Sequence, residues 1–432
     1  MRKYQSYKQS GVEWIGEIPS HWNFIKTNIL TENLDGKRVP LNSEERGKME
    51  GEYPYWGSNG VVDYVNQFIF NEEIVLVGED GSPFFDKLKD VSFYVNEPVW
   101  VNNHIHILKP KEKILPRYLT HSFNCVDYKE YITGSTRDKL TQSDLKRISH
   151  CVPPLKEQLQ IVQFLDDKTI LIDRLISTKE SKITLLKEQR TSLINQVVTK
   201  GMNPNVKMKD SGVEWIGEIP EHWKSYNLRY VLELLTDFES NGSFSSVKEN
   251  VKVDDEGEVW YVRMTDLENN NIRNEKCKYC DLDTYNFLHK TKVFGGELLI
   301  TKRGEIGKVY LFPYNCGLST LGPNSYLLRL KNIVNSHFLY FFYISDIGQT
   351  TLKLLDNSTT IGSLYKDDIK GSSVIVPPID EQHQIVQFLD SKTREIDELV
   401  QLEQKKIDLL KEYRQSLISE VVTGKIKVTT DE

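Results

Sequence analysis

Only 5 of the 432 residues are cysteine, and Cys125, Cys151, Cys277, Cys280 and Cys316 are odd in number and unevenly spread. That argues against a disulfide framework and suits reduced thiols. No apolar run approaches the roughly 18–20 residues a membrane-spanning helix needs. The opening Met1-Arg-Lys-Tyr-Gln-Ser-Tyr-Lys-Gln-Ser10 has no apolar signal region, so a cytoplasmic protein without a membrane partner is expected. Excess positive charge is also lacking. The net charge is −7, and by segment it is −2 over 1–152, +2 over 153–200, −3 over 201–376 and −4 over 377–432. A nucleic-acid partner would have to meet a local basic face on an acidic body, or a field supplied partly by other subunits.

Catalytic signatures are missing too. There is no Gly-x-x-x-x-Gly-Lys-Ser/Thr phosphate loop; Gly304-Glu-Ile-Gly-Lys308 is too short and reads as a hairpin turn. Pro153-Pro154 and Pro377-Pro378 lack the flanks of an amino-methyltransferase motif and read as helix entries. Asp144-Leu-Lys146 echoes a nuclease triplet but fits a helix surface. Cys277-Lys-Tyr-Cys280 has no second pair at zinc spacing, and its role stays open. His104-Ile-His106 would put both imidazoles on one face of a strand, with no third ligand in view. No metal site is expected.

What is present is a duplication. Ser10-Gly-Val-Glu-Trp-Ile-Gly-Glu-Ile-Pro-Ser-His-Trp22 returns as Ser211-Gly-Val-Glu-Trp-Ile-Gly-Glu-Ile-Pro-Glu-His-Trp223, at an offset of 201. Pro153-Pro-Leu-Lys-Glu-Gln-Leu-Gln-Ile-Val-Gln-Phe-Leu-Asp166 returns as Pro377-Pro-Ile-Asp-Glu-Gln-His-Gln-Ile-Val-Gln-Phe-Leu-Asp390, at an offset of 224. Between these frames the halves diverge into short strand-like runs punctuated by Gly, Asn and Asp. Four segments follow: a first variable domain over 1–152, a long helix over 153–200, a linker and second variable domain over 201–376, and a second long helix with a tail over 377–432.

Each helical segment carries a heptad. In the first, the seam is Val162, Leu165, Ile172, Ile176, Lys179, Ile183, Leu186 and Leu193, with Thr169, Arg190 and Val197 at the remaining a positions. In the second it is Val386, Leu389, Ile396, Val400, Glu403, Ile407, Leu410 and Leu417, with Thr393, Arg414 and Val421. The polar breaks fall at the same three places, which favours pairing of the two helices with each other. About 43 residues make a rod of roughly 60 Å. The link from Thr199 to Asp210 reaches at most roughly 40 Å, so the helices should run antiparallel with a globular domain at each end. Lys179 and Glu403 should then meet at the centre. Val421-Val-Thr-Gly-Lys425 matches Val197-Val-Thr-Lys-Gly201, so the chain ends should meet.

The doubled Gly-Val-Glu-Trp-Ile-Gly-Glu-Ile-Pro-x-His-Trp and Pro-Pro-x-x-Glu-Gln motifs resemble those of type I restriction–modification specificity subunits. So do Tyr55-Trp-Gly-Ser-Asn-Gly60, Asn102-Asn-His-Ile-His106, Ile132-Thr-Gly-Ser-Thr-Arg-Asp-Lys-Leu140, Val262-Arg-Met-Thr-Asp-Leu267 and Thr301-Lys-Arg-Gly-Glu-Ile-Gly-Lys308. The resemblance covers nearly the whole chain. It implies an α+β fold: two mixed α/β target-recognition domains separated by a long antiparallel two-helix coiled coil, with a pseudo-twofold internal repeat. The implied function is sequence-specific recognition of a bipartite, asymmetric site in double-stranded DNA, without catalysis. Two modification (methyltransferase) subunits would dock on the coiled coil, and restriction (endonuclease and translocase) subunits would join them. S-adenosylmethionine, ATP and Mg would belong to those partners, with no cofactor in this chain. The alternative is a stand-alone tandem DNA-binding regulator whose coiled coil self-associates.

Candidate DNA contacts follow from side-chain chemistry. Hydroxyls and backbone N–H groups clamp phosphate, Arg and Lys reach guanine edges, and Asn pairs with adenine. In the first half these are Lys37, Arg38, Ser58, Asn59, Asn102, Asn103, His104, Ser135, Thr136, Arg137 and Lys139. From Lys109 to Arg147 that half carries nine basic and five acidic residues, its most basic stretch. In the second half the candidates are Arg263, Thr265, Lys302, Arg303, Asn324, Thr359 and Thr360.

Overall fold

The computed structural model describes residues 2–132, 138–269, 271–356 and 362–428. Two helices dominate the α content, Leu155–Lys200 and Ile379–Val422. Each starts directly after its Pro-Pro pair, because proline is tolerated at a helix entry and not inside. Each ends at a glycine with positive φ, Gly201 at 73° and Gly424 at 74°, the left-handed turn that closes a helix most cheaply on glycine.

The chain divides into two compact units, Met1–Lys182 with Glu403–Glu432, and Ile183–Leu402. In the first unit an antiparallel sheet runs in the order Thr31–Asn33, Ile105–Pro110, Ile74–Gly78, Ser92–Val95. A second sheet pairs Glu50–Gly57 antiparallel with Gly60–Val65 and parallel with Trp100–Val101. The strand Ile74–Gly78 is buried along its whole length. Its period of two sends Val75 and Val77 into one apolar cluster and Ile74 and Leu76 into another. The strand therefore sits between two cores, which is why it reads as a continuous apolar run.

The second unit repeats this plan. Its antiparallel sheet runs Leu232–Asp237, Ser325–Leu330, Leu298–Thr301, Val309–Leu311. Its second sheet sets Val259–Val262 parallel to Ser319–Leu321. Leu298 and Ile300 face one cluster and Leu299 the other. Gly304-Glu-Ile-Gly-Lys308 links the antiparallel strands Leu298–Thr301 and Val309–Leu311, the hairpin expected of it.

The doubled motifs are the joinery of each unit. In the first, Glu157 of the long helix accepts from the Trp22 indole N–H at 3.1 Å and lies 2.7 Å from His21 Nε2. In the second, Glu381 takes the same pair from Trp223 at 3.1 Å and His222 at 2.8 Å. Next to them, Gln158 and Gln382 are fully buried. Gln158 accepts from Leu115 N–H and donates to the carbonyls of Lys113 and Pro153. Gln382 does the same with Asn335, Ile333 and Pro377.

Within the first unit the paired helix segments are antiparallel, since Asp173 meets Arg414 at 3.1 Å and Lys179 meets Glu403 at 2.8 Å. In the second, Arg190 meets Asp397 at 3.1 Å. An offset of 224 converts one arginine–aspartate pair into the other, so the internal repeat extends to individual contacts. Every seam position is buried or half-buried. The two chain ends meet in the first unit, where Lys427 N–H donates to Arg2 O at 2.8 Å.

Candidate nucleic-acid interface

Four loops converge at one end of the sheets in the first unit. Asn102 N–H donates to Trp56 O at 2.9 Å, Glu79 N–H to His104 O at 3.0 Å, Leu140 N–H to Glu79 O at 2.7 Å, and Gly81 N–H to Asp138 O at 3.3 Å. Asn59 Nδ2 adds a bond to Gly81 O at 3.1 Å, and Ser82 Oγ donates to Ser58 O at 3.0 Å. The turn 58–59, the segment 79–82, the segment 102–104 and the segment 138–140 thus form one cradle.

The second unit builds the same cradle from other residues. Gly322 N–H donates to Val262 O at 2.9 Å, Lys302 N–H to Asn324 O at 2.8 Å, Leu364 N–H to Lys302 O at 3.0 Å, and Gly304 N–H to Gly362 O at 3.0 Å. Isolated bridges pair Asp80 with Lys139 and Arg303 with Ser363. The bonds define equivalences: Glu79 with Lys302, Asp80 with Arg303, His104 with Asn324, and Lys139 with Ser363. They extend inward. His106 Nε2 lies 2.8 Å from Leu140 O, and Tyr326 Oη donates to Leu364 O at 3.0 Å. Gln142 donates to Asp35 at 2.8 Å where Lys366 meets Asp237 at 2.5 Å.

Several candidate cations are spent inside the protein. Arg38 is half-buried, with Nη1 2.5 Å from Glu79 Oε2 and donating to Ile105 O at 3.0 Å and Asn103 O at 3.1 Å. Lys302, only 12% exposed at its side chain, contacts Asp237 at 2.7 Å and Glu239 at 2.6 Å. Arg263 is held by Asp266 at 2.6 Å and by Lys276 O at 2.8 Å. These three side chains brace loops within the protein. The exposed candidates are Lys37, Asn59, Asn103, Lys139, Thr265, Arg303 and Asn324. Lys139 rests on Glu79 at 3.1 Å. Asn102 is half-buried and its Oδ1 accepts from Asn103 N–H at 2.6 Å. Asn324 holds φ at 66°, a left-handed conformation that asparagine tolerates better than most residues. Ser58 is half-buried in its turn. Ser135, Thr136, Arg137, Thr359 and Thr360 lie outside the described residues.

The electrostatics favour ionised groups beneath the cradle. Burial pushes the Asp35 carboxyl up, but hydrogen bonds from His106 and Ile107 N–H and the His106 charge outweigh it and bring the pKa down to about 2. Burial likewise opposes ionisation of Glu79, and Arg38, His106 and Lys139 overcome it. In the second unit Lys302 and Lys366 hold Asp237 well below the usual carboxylate range despite its burial.

His104-Ile-His106 is not a two-imidazole face. The strand begins at Ile105; His106 is fully buried against Asp35, while the half-exposed His104 pairs with Asp80 at 2.8 Å. Cys277 and Cys280 lie in different apolar clusters. Among the described residues no cluster of His, Cys, Asp and Glu could hold a metal ion, and no helix is long and apolar enough to cross a membrane. Sequence reasoning missed Glu79, Asp80 and Asp237. The signal was there: Ile74-Val-Leu-Val77 and Leu298-Leu-Ile-Thr301 each precede a short polar stretch closed by glycine, Gly81 or Gly304.

The profile of the type I restriction modification DNA specificity domain matches residues 19–185 and again 220–413. A Haemophilus influenzae protein proposed as a type I restriction enzyme specificity subunit is 26% identical, over 83% of this chain and 84% of its own. The MjaVIII type I restriction enzyme specificity subunit of Methanocaldococcus jannaschii is 22% identical over 95% of this chain and 94% of its own. Among solved structures, a chain from work on assembly and conformational transition of the type I R-M system superposes with a TM-score of 0.67 at 14% identity. It covers 94% of this chain and 98% of its own. The HsdS subunit of Thermoanaerobacter tengcongensis gives 0.52 at 14% identity, covering 95% and 98%. The structural likenesses establish the fold; the doubled profile match establishes the family. The chain belongs to the type I restriction–modification DNA specificity family, as a non-catalytic recognition subunit with two specificity domains.

Proposed function

We propose that each unit reads one half of a split, asymmetric DNA site through its loop cradle. The observation that carries this reading is the shared cradle itself: one set of backbone hydrogen bonds holds Glu79, Asp80, His104 and Lys139 in one unit and Lys302, Arg303, Asn324 and Ser363 in the other. A fixed frame with exchanged side chains is what two readers of different sequences require, because base edges are distinguished by donor and acceptor pattern. The exposed Lys37, Asn59, Asn103, Lys139, Thr265, Arg303 and Asn324 supply base and phosphate contacts.

The long helices carry the partners. Outside the seam, Leu171, Leu175 and Leu409 are exposed in the first unit, and Leu185, Leu399 and Leu402 in the second; exposed apolar groups on the helix segments of each unit suit protein docking. Two modification subunits dock there and restriction subunits join them in the cytoplasm. S-adenosylmethionine, ATP and Mg act on those subunits. Methylome sequencing of a host carrying this chain with its partner subunits tests the proposal. One bipartite methylated sequence is expected; methylation at a single undivided site would defeat it.

A further inference from the structure

Arg303 differs from the other cations around its cradle. Lys302 is neutralised by Asp237 and Glu239, Lys366 by Asp237, Lys308 by Glu268 and Glu305, and Arg263 by Asp266. The Arg303 side chain is exposed and makes no hydrogen bond or ion pair among the described residues. Its backbone is fixed on both sides, by Lys302 N–H on Asn324 O and by Gly304 N–H on Gly362 O. A guanidinium with an immobile base and an unengaged fork is pre-organised for bidentate recognition.

We propose that Arg303 reads a guanine in the half-site bound by the second unit, donating two parallel N–H bonds to its O6 and N7. This rests on the recognition function proposed above and adds a base identity to it. The first unit cannot read guanine from the equivalent place. Asp80 stands there with its carboxylate on His104 Nδ1 at 2.8 Å, and a carboxylate offers no donor to the two acceptors of guanine. The two units therefore present different hydrogen-bonding groups at this position.

The test is selection from randomised duplexes by the full chain co-purified with its modification subunits, as wild type, Arg303→Ala and Arg303→Lys. The alanine variant is expected to lose guanine preference at one position of one half-site, discrimination there falling roughly 5- to 150-fold, with the other half-site unchanged. The lysine variant keeps the charge and loses the fork, so it should keep the salt dependence of binding and still lose much of the discrimination. Three results would overturn the proposal: an unchanged selected site, a change in both half-sites, or a uniform loss of affinity with a salt slope shallower by about one, the mark of a phosphate contact. All three leave sequence recognition standing. A wild-type complex that selects no sequence overturns the recognition reading and this proposal together. Arg303 is exposed, and unchanged thermal unfolding checks that each variant is folded.

Discussion

His150 is fully buried between Thr27 Oγ1 at 2.9 Å and Ser122 Oγ at 2.7 Å. Burial pushes its pKa from 6.5 down to about 3. Above pH 6.5 the imidazole is neutral in both folded and unfolded chains. Between there and pH 3 the unfolded chain takes up a proton that the folded one refuses, so stability falls as pH falls. The slope is about 1.4 kcal/mol per pH unit, which gives a loss of about 2 kcal/mol between pH 6.5 and pH 5. Urea unfolding across that range should show it, and His150→Gln should remove that part of the dependence. Were the variant's curve parallel to wild type, His150 would not be the source. Asp35, held near 2, acts in a lower window, its contribution fading as pH falls below about 4. Gln382 offers a second residue-scale test. Gln382→Ala strands the N–H of Asn335 and the carbonyls of Ile333 and Pro377, and should cost about 2–4 kcal/mol in urea unfolding. At this scale the sequence was partly legible. Residue types at the cradle could be named as candidates, but Arg38 and Lys302 are consumed by Glu79 and Asp237. Those partners are brought in by strand pairing rather than by proximity along the chain.

The elements most legible in the sequence were the long helices, where a proline- and glycine-free heptad fixes both type and partner face. The rod of about 43 residues expected for the first helix is observed as the 46 residues Leu155–Lys200. The pairing of Lys179 with Glu403 followed from the register, but the full cluster did not. Glu403 is 3% exposed and takes three ammonium groups, Lys179 at 2.8 Å, Lys182 at 3.0 Å and Lys406 at 3.1 Å. Their hydrogen bonds pull its carboxyl down to about 2. Lys182 and Lys406 lie outside the a and d seam, where a heptad reading does not look. The cluster changes the expected outcome of a charge swap. Lys179→Glu leaves two lysines to share two carboxylates and should lower the unfolding temperature by a few degrees. Glu403→Lys sets a fourth ammonium among three and should lower it further. The double variant should recover part of the loss but not all, because Lys182 and Lys406 still face a lysine. Strictly additive effects in that cycle would show that positions 179 and 403 do not interact.

At the scale of the whole molecule, the duplicated frames determine where one reader can be exchanged for another. The strand Asn23–Lys26 pairs with Ser149–Val152, from Asn23 opposite Val152 to Lys26 opposite Ser149. An exchange of residues 23–152 therefore carries both members of that pair and leaves no edge without its partner. Trp22 and His21 stay behind on one side and Pro153 and Glu157 on the other, so the joint between the His-Trp motif and the long helix is untouched. The equivalent strands Lys224–Asn227 and Ser373–Val376 close the second unit in the same way. Replacing 23–152 with the corresponding part of a relative should thus give a folded chain whose methylated site is altered in one half only. Cuts placed inside the strand pair, for instance after Ile25 and before Cys151, should perform worse, because they set strands of different origin against each other and a slip of one residue turns every side chain to the wrong face. Methylome sequencing of the exchanged complex reads the outcome directly. A simultaneous change in both halves of the site would mean that the two cradles do not read independently.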